Sequence, residues 1–187
     1  MEMIKIAGFG GSLRKESYSR YLLENSVNLM PENSELKILD IKNFPLMNQD
    51  EENNYPENVK NFKKQIRESD GVLIVTPEYN YSIPGYLKNV LDVASRPYGD
   101  NPFDGKPVAV MSSSIGMLGG SRAQYHLRQV FVFLNMVPVN TPEVFLTFAP
   151  QKFDKNGKLT DDMTAKFAAQ LLENLVNLAR DIKKAHH

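Results

Sequence analysis

The sequence predicts a doubly wound α/β fold, in which a five-stranded parallel sheet of strand order 2-1-3-4-5 carries helices on both faces. Two observations lead to this prediction. Apolar stretches typical of buried strands alternate with helix-like stretches along all 187 residues. Polar loops rich in glycine, serine and proline follow the first, third and fourth predicted strands, whose carboxyl ends share one edge of such a sheet. The length suits a single domain, residues 1–187.

The predicted strands are short apolar runs bounded by turn residues. The clearest is the run Val-Leu-Ile-Val at residues 72–75, which is typical of a strand buried on both faces. The five predicted strands are residues 3–9, 36–41, 71–76, 107–113 and a fifth that begins at 136–139.

Helical periodicity is found between these strands and after them. In the last helix, Leu171, Leu175 and Leu178 recur at helical spacing. The predicted helices are residues 18–30, 59–68, 84–94, 120–134 and about 160–183. The connection 142–157 is interpreted as an irregular lid or interface arm. This order of strands and helices is that of the flavodoxin-like fold.

The composition excludes several classes of function. With 22 basic and 22 acidic residues the net charge is zero, which argues against a nucleic-acid site. No cysteine is present, so redox chemistry requires a bound organic cofactor. His126 stands alone, and His186 and His187 are either native or the remnant of a tag, so no metal site is expected. No apolar run approaches the roughly 20 residues that cross a membrane, and we expect a cytoplasmic protein.

The loop at residues 10–20 has the chemistry of a phosphate site. Its glycines allow a tight turn, its serines offer hydroxyl groups, and Arg14 offers a planar fork beside a helix N-terminus. Two better-known phosphate motifs are absent, because Leu13 stands where a dinucleotide fingerprint needs glycine and Gly-Lys-Ser/Thr does not occur. The alternative is an ordinary capped helix behind a solvated loop.

Two further loops complete a candidate site. Residues 76–85 combine proline, asparagine and glycine and run into a helix, so that several backbone amides are aimed at one spot. Residues 112–121 are rich in serine and glycine, which lets the backbone approach a flat ligand closely. Each loop alone is also explained by ordinary turn chemistry. Their expected meeting at one sheet edge favours a binding site for a planar, polar ligand.

Three segments of this chain resemble the NADPH-dependent FMN reductase family, and within it the bacterial chromate and quinone reductases. They are residues 11–17, 76–89 and 119–128, and they occur in the family's order along the chain. The resemblance implies a flavodoxin-like fold and tight, non-covalent binding of FMN. It further implies NADPH or NADH as reductant and assembly into homodimers or homotetramers.

The resemblance also assigns roles to individual residues. The FMN phosphate would be held by the first loop, through Ser12, Arg14, Ser17 and Ser19, with Lys15 and Tyr18 in the same loop. The isoalloxazine ring would be lined, mainly by backbone groups, by Pro77, Glu78, Tyr79 and Asn80. The ribityl chain and the pyrimidine side of the ring would border Ser112, Ser113, Gly116 and Gly119. Subunits would pack into tetramers through Arg122, Tyr125 and Glu143. No catalytic side chain and no metal ligand is implied.

These assignments lead to a hypothesis of flavin-dependent oxidoreduction. Hydride would pass from NAD(P)H to flavin N5, and a quinone or similar small acceptor would then be reduced by a ping-pong mechanism, with chromate, azo compounds and ferric complexes as incidental acceptors. One alternative is a flavodoxin-like electron carrier for protein partners, which would stabilise a one-electron-reduced flavin. Another is a dinucleotide-binding dehydrogenase domain with Asp40 on the ribose, which the missing glycine fingerprint disfavours.

Overall fold

The computed structural model describes residues 2–185 and contains a parallel sheet in the order β2-β1-β3-β4-β5, with a further strand β6 also on β4. The strands are β1 Ile4–Gly10, β2 Ser34–Ile38, β3 Gly71–Pro77, β4 Pro107–Ser113, β5 Val137–Pro138 and β6 Val144–Leu146. The helices are α1 Tyr18–Ser26, α2 Glu57–Glu68, α3 Gly85–Ala94, α4 Ser121–Leu134 and α5 Asp162–Ala185. The predicted fold class is confirmed.

The outer position beside β4 is shared by two short strands. β5 pairs with the start of β4 and β6 pairs with its end, both in parallel. The predicted fifth strand is therefore interrupted after Pro138 and resumes inside the connection that was expected to be irregular. β6 is only three residues long, too short for its alternation of buried and half-buried side chains to predict a strand.

Each face of the sheet packs against its own helices. Side chains alternate along β3, so Val72 and Ile74 join the cluster formed with α2, α3 and α4, while Leu73 and Val75 join the cluster formed with α1 and α5. All four side chains are fully buried. The core therefore lies on both sides of the sheet, and the polar loops project from its carboxyl edge.

The structure was also searched for membrane-spanning helices and for groups of metal-binding side chains. Within residues 2–185 no helix combines the length and the apolar character needed to cross a membrane. Over the same residues, no three histidine or acidic side chains come together as metal ligands would. The expectation about His186 and His187 falls outside the described residues.

Asp161 caps the N-terminus of α5. Its Oδ2 accepts hydrogen bonds from the backbone N–H of Thr164 at 2.9 Å and from Lys152 Nζ at 3.2 Å. The hydrogen bonds from Thr164, followed by the one from Lys152, hold the pKa of Asp161 below its ordinary value of 3.8. Because the folded pKa is lowered, the stabilisation is complete above the ordinary pKa and is lost as pH falls through the folded one.

We expect Asp161→Ala to lower the free energy of unfolding by about 1 kcal/mol at neutral pH, the usual worth of an N-cap. The difference between variant and wild type should shrink as the pH falls through the folded pKa of Asp161. Urea unfolding of both proteins, repeated at decreasing pH, measures this difference. A difference that stays constant into acid would contradict the assignment of the carboxylate as the cap.

Candidate functional site

The carboxyl edge of the sheet gathers three loops, which we call the first loop (residues 11–17, after β1), the second loop (78–84, after β3) and the third loop (114–120, after β4). From β1 the chain crosses to β2 on one side, and from β3 it crosses to β4 on the other. A crevice is expected where the direction changes. The first and second loops meet there, since the Ser12 and Tyr79 hydroxyl oxygens lie 3.5 Å apart.

The first loop places polar and cationic groups at the N-terminus of α1. Ser17 is the N-cap residue, but its side chain caps no helix amide, and its Oγ lies 2.9 Å from Ser19 Oγ. The first turn of α1 holds no acidic residue. The loop also carries the exposed Arg14 and Lys15, and the Arg14 guanidinium lies 5.9 Å from the centre of the Tyr18 ring. Uncapped helix amides, hydroxyl groups and two cations together favour a phosphate group.

The second loop contains a tight turn with left-handed backbone. Tyr79 and Ser82 exchange backbone hydrogen bonds of 2.9 and 3.0 Å, and Asn80 and Tyr81 have φ angles of 50° and 66°. These features are those of a type I′ turn. Asparagine tolerates the left-handed region, but a tyrosine there is strained, and such strain is concentrated at functional sites. Tyr79 is 50% exposed and Tyr81 69% exposed, so the turn presents aromatic surface at the crevice.

The second loop is also tied to the start of α4. The carboxylate of Glu78, only 10% exposed, accepts a 2.6 Å hydrogen bond from the Arg122 guanidinium. It also accepts from the backbone N–H groups of Arg122 at 3.1 Å and of the next residue at 3.4 Å. The same guanidinium lies 3.7 Å from the centre of the Tyr81 ring, and Ser82 Oγ lies 2.8 Å from His126 Nδ1. The protein's own carboxylate therefore satisfies the amides that begin α4.

The third loop is held by Ser112 and Gln124. The Ser112 hydroxyl donates to the Gly119 carbonyl at 2.6 Å and accepts from Gln124 Nε2 at 2.9 Å. Gln124 Nε2 also donates to the Val144 carbonyl at 2.8 Å, which joins the loop to β6. Gly119 has a φ of 58°, and a Cβ there would lie 2.8 Å from the carbonyl carbon of Phe145. The loop therefore depends on glycine at this position.

The rim of the third loop is apolar and exposed. Ile115 is 71% and Met117 73% exposed, whereas Ser113 at the base is buried. The Gly116 N–H donates to Ser114 Oγ at 3.1 Å, so this part of the loop turns back on itself. Together with the exposed tyrosines of the second loop, the rim gives one sheet edge both polar backbone groups and apolar surface.

All the predicted site residues lie in these loops, in the adjoining strand ends or in the first turn of α1. Sequence reasoning missed Gln124, which is fully buried on the face of α4 that also carries Leu127 and Phe131. The sequence did contain a signal for it, because Gln124 is a polar residue at an otherwise apolar position of the α4 repeat. Arg122, expected from the resemblance at a subunit contact, pairs with Glu78 of its own chain and is 37% exposed.

Tyr125 and Glu143, which the resemblance also places at a subunit contact, interact with each other within this chain. A hydrogen bond to Glu143, and then the charge of that carboxylate, raise the pKa of Tyr125. The Tyr125 ring also packs edge-on against Phe145, with 6.3 Å between ring centres.

Asp40, the residue of the dehydrogenase alternative, lines a cavity of about 240 Å³ beside the first loop. Its Oδ1 accepts the Lys42 N–H at 2.9 Å, so that carboxylate is turned toward its own backbone.

Several known proteins are similar to this chain in sequence and in fold. A profile of the NADPH-dependent FMN reductase family matches residues 4–151. The chain is 44% identical over 173 residues to an NAD(P)H-dependent FMN reductase of Pseudomonas aeruginosa, covering 92% of this chain and 93% of that protein. It is 40% identical over 178 residues to a 2-hydroxy-1,4-benzoquinone reductase of a Burkholderia species, covering 95% and 97%. The structure of FerB, a flavoenzyme NAD(P)H:(acceptor) oxidoreductase from Paracoccus denitrificans, superposes with a TM-score of 0.87 at 35% identity, covering 96% of this chain and 98% of that one.

These matches confirm the predictions of the family, of an oxidoreductase, and of FMN with NAD(P)H as reductant. They span nearly the whole sequence, and they agree with a site whose first loop has the chemistry of a phosphate cradle. The chain belongs to the NADPH-dependent FMN reductase family.

Proposed function

We propose that this protein is an FMN-dependent NAD(P)H:quinone oxidoreductase whose FMN phosphate is held at the N-terminus of α1. One observation carries the proposal: α4 has its first amides occupied by Glu78, and of the helices α1 and α3, which begin at the same sheet edge without a side-chain cap, α1 is the one whose preceding loop carries the cations Arg14 and Lys15. A ligand with one phosphate group is therefore anchored at α1. The quinone reductases among the relatives support the class of acceptor.

The residues of the first loop suit a phosphate dianion. The Arg14 guanidinium offers two parallel donors and the Ser17 and Ser19 hydroxyls are close enough together to share one phosphate oxygen. The proposed phosphate site consists of Ser12, Arg14, Lys15, Ser17, Tyr18 and Ser19.

The second and third loops suit the ring system. Backbone groups of Pro77, Glu78, Tyr79 and Asn80 are proposed to line one side of the isoalloxazine. On the other side the proposed residues are Ser112, Ser113, Gly116 and Gly119. The Ser112 hydroxyl already bonds the Gly119 carbonyl, so Ser112 contributes by shaping the loop.

When bound, FMN would supply the redox chemistry: the ring would take a hydride from NAD(P)H and return a hydride to the quinone, and the second proton of the hydroquinone would come from solvent. The chain supplies binding and orientation, and no side chain is assigned a proton transfer. Backbone N–H groups of the second and third loops stabilise negative charge at the pyrimidine edge of the ring. Tyr79, Tyr81 and the rim residues Ile115 and Met117 offer apolar walls to a flat partner and limit the access of water.

The acceptor is proposed to use the same open face as the nicotinamide, in alternation with it. A site of this kind gives ping-pong kinetics and accepts other small oxidants, so chromate, azo compounds and ferric complexes are proposed as incidental acceptors. The cytoplasm, as a compartment that supplies NAD(P)H, is the proposed location.

Reconstitution tests the proposed function. The purified chain is incubated with FMN, desalted, and assayed for NADPH and NADH oxidation with 1,4-benzoquinone as acceptor. Retained flavin that NADPH bleaches, together with parallel double-reciprocal plots as quinone is varied, is the expected result. Retained flavin that ignores both nicotinamides would instead support an electron carrier, and no retained flavin would overturn the proposal.

A second copy of the chain is the proposed partner. A groove of about 460 Å³ between α3 and α4 borders the second loop and contains Ile83 and Val130. Phe133, at its wall, is 70% exposed. Lys88 and Asp92, which also line the groove, pair with each other at 2.7 Å, so the apolar surface around Phe133 can meet its own image across a two-fold axis without burying either charge unpaired.

We expect Phe133→Arg to convert the assembly to monomers, because the interface would then bury an unpaired charge in each of two symmetric positions. Sedimentation velocity at micromolar concentration measures the change in mass. Val132→Arg is the matched control, since Val132 is 81% exposed and does not line the groove; it should retain the dimer. A wild-type protein that sediments as a monomer would remove this part of the proposal, and the same run distinguishes dimer from tetramer.

A further inference from the structure

The side chain of Glu78 is committed to the protein itself. One carboxylate oxygen accepts the guanidinium of Arg122 and the other accepts the first backbone amides of α4. At 10% exposure this side chain has little access to solvent. An ionised carboxylate is favoured at a helix N-terminus, where the helix dipole is positive. Both oxygens are therefore engaged within the chain, which favours a structural role for this carboxylate over contact with a ligand.

The same contacts hold a strained turn. Tyr81 and Asn80 both have left-handed backbone, and such a conformation persists only where its surroundings determine it. The Arg122 guanidinium, fixed by Glu78 on one side, lies over the Tyr81 ring on the other. This cation–π contact continues the chain of interactions from α4 to the turn.

We infer that Glu78 is a positioning residue, whose carboxylate clamps the Tyr79–Ser82 turn to α4 and so presets the backbone that meets the flavin ring. The inference rests on the proposed function for the identity of the ring, and on the contacts of Glu78 for the clamp. It separates two parts of the site: the first loop selects the phosphate, while the clamp sets affinity for the ring regardless of whether a phosphate is attached.

Two flavins distinguish these parts. Riboflavin has the ring and ribityl chain of FMN but no phosphate. Glu78→Ala should weaken the binding of FMN and of riboflavin by the same factor, about tenfold, because the turn is loosened while the first loop is untouched. Glu78→Gln should recover only part of this loss, since its amide oxygen still accepts the helix amides but its NH2 group, a donor, faces the Arg122 guanidinium. The binding constants are measured by the quenching of flavin fluorescence on titration with the full-length chain freed of flavin.

Asp161→Ala is the matched control. Asp161 is also an acidic helix cap paired with a cation, but it caps α5 and does not touch the second loop. It should lower stability to a similar extent without changing either binding constant. This comparison separates positioning of the turn from a general loss of stability.

Hydrogen exchange gives a readout that needs no flavin. The amides of Tyr79 and Ser82 close the turn, and their exchange should accelerate in Glu78→Ala, accelerate less in Glu78→Gln and be unaffected in Asp161→Ala. Unchanged exchange in Glu78→Ala would overturn the clamp, whatever the flavin titrations show. Unequal loss of FMN and riboflavin would overturn its assignment to the ring. Wild-type protein that binds neither flavin would instead refute the proposed function, while the exchange data would still test the clamp.

Discussion

Replacing Ser17 with Asp is expected to abolish FMN retention while changing the stability of the flavin-free protein little. Ser17 is the N-cap of α1, and its side chain makes no capping hydrogen bond. Aspartate is among the preferred N-cap residues and interacts favourably with the helix dipole. Because Ser17 is only 5% exposed, the cost of burying the larger carboxylate offsets part of this gain, and the free energy of unfolding of the flavin-free protein should stay within about 1 kcal/mol of wild type.

The same carboxylate should exclude the phosphate. The FMN phosphate carries a charge of about −1.5 to −2 near neutral pH, and the new carboxylate would occupy the amides that this phosphate needs. Like charges about 4 Å apart repel by roughly 4 kcal/mol at a dielectric constant near 20. After screening and relaxation we expect FMN affinity to fall at least about 100-fold, or about 2.7 kcal/mol. Riboflavin affinity should change little.

Fluorescence titration of Ser17→Asp measures its affinity for FMN and for riboflavin, and urea unfolding measures its stability. Ser34→Asp is the matched control, because it makes the same chemical change at the start of β2, on the far edge of the sheet. It should leave both flavin affinities as in wild type. If Ser17→Asp retained FMN at wild-type affinity, the phosphate would not lie at α1, and the assignment of the first loop would be wrong.

The sequence was sufficient to predict the sheet because its central strands are buried on both faces. An uninterrupted apolar run such as that of β3 can be accommodated in few other ways. The loops that follow parallel strands lie at one edge of the sheet, and the strand order is that of the flavodoxin-like pattern of alternating strands and helices. The predicted site residues of each loop lie within a few positions of one another, so a prediction of each loop was enough to bring them together.

The contacts that organise the loops were beyond sequence reasoning. Glu78 and Arg122 are 44 positions apart. No local pattern indicates that Glu78 caps α4, in whose first turn Arg122 lies. Gln124 joins β6 to the third loop through Val144, a contact that requires the position of β6 to be known. Pairings of this kind depend on tertiary packing, which local propensity does not encode.

Replacing Gly119 with Ala should disrupt the third loop as a whole. Gly119 has a φ of 58°, where an L-residue costs roughly 1–2 kcal/mol. The added Cβ would also lie 2.8 Å from both the carbonyl carbon and the Cβ of Phe145, and the backbone of the next segment cannot give way as a flexible side chain would. Phe145 belongs to β6, so the collision reaches the edge of the sheet. We expect the free energy of unfolding to fall by about 3 kcal/mol or more, with loss of FMN retention.

Gly105→Ala separates the two causes of this loss. Gly105 also has a left-handed φ, of 69°, but a Cβ there meets nothing within 4 Å. Urea unfolding of Gly105→Ala should therefore show only the conformational cost, about 1 kcal/mol, with FMN retention unchanged. The excess loss in Gly119→Ala measures the contact with Phe145. Equal losses in the two variants would mean that the loop moves freely away from β6, and a loop so mobile could not preset one side of the flavin site.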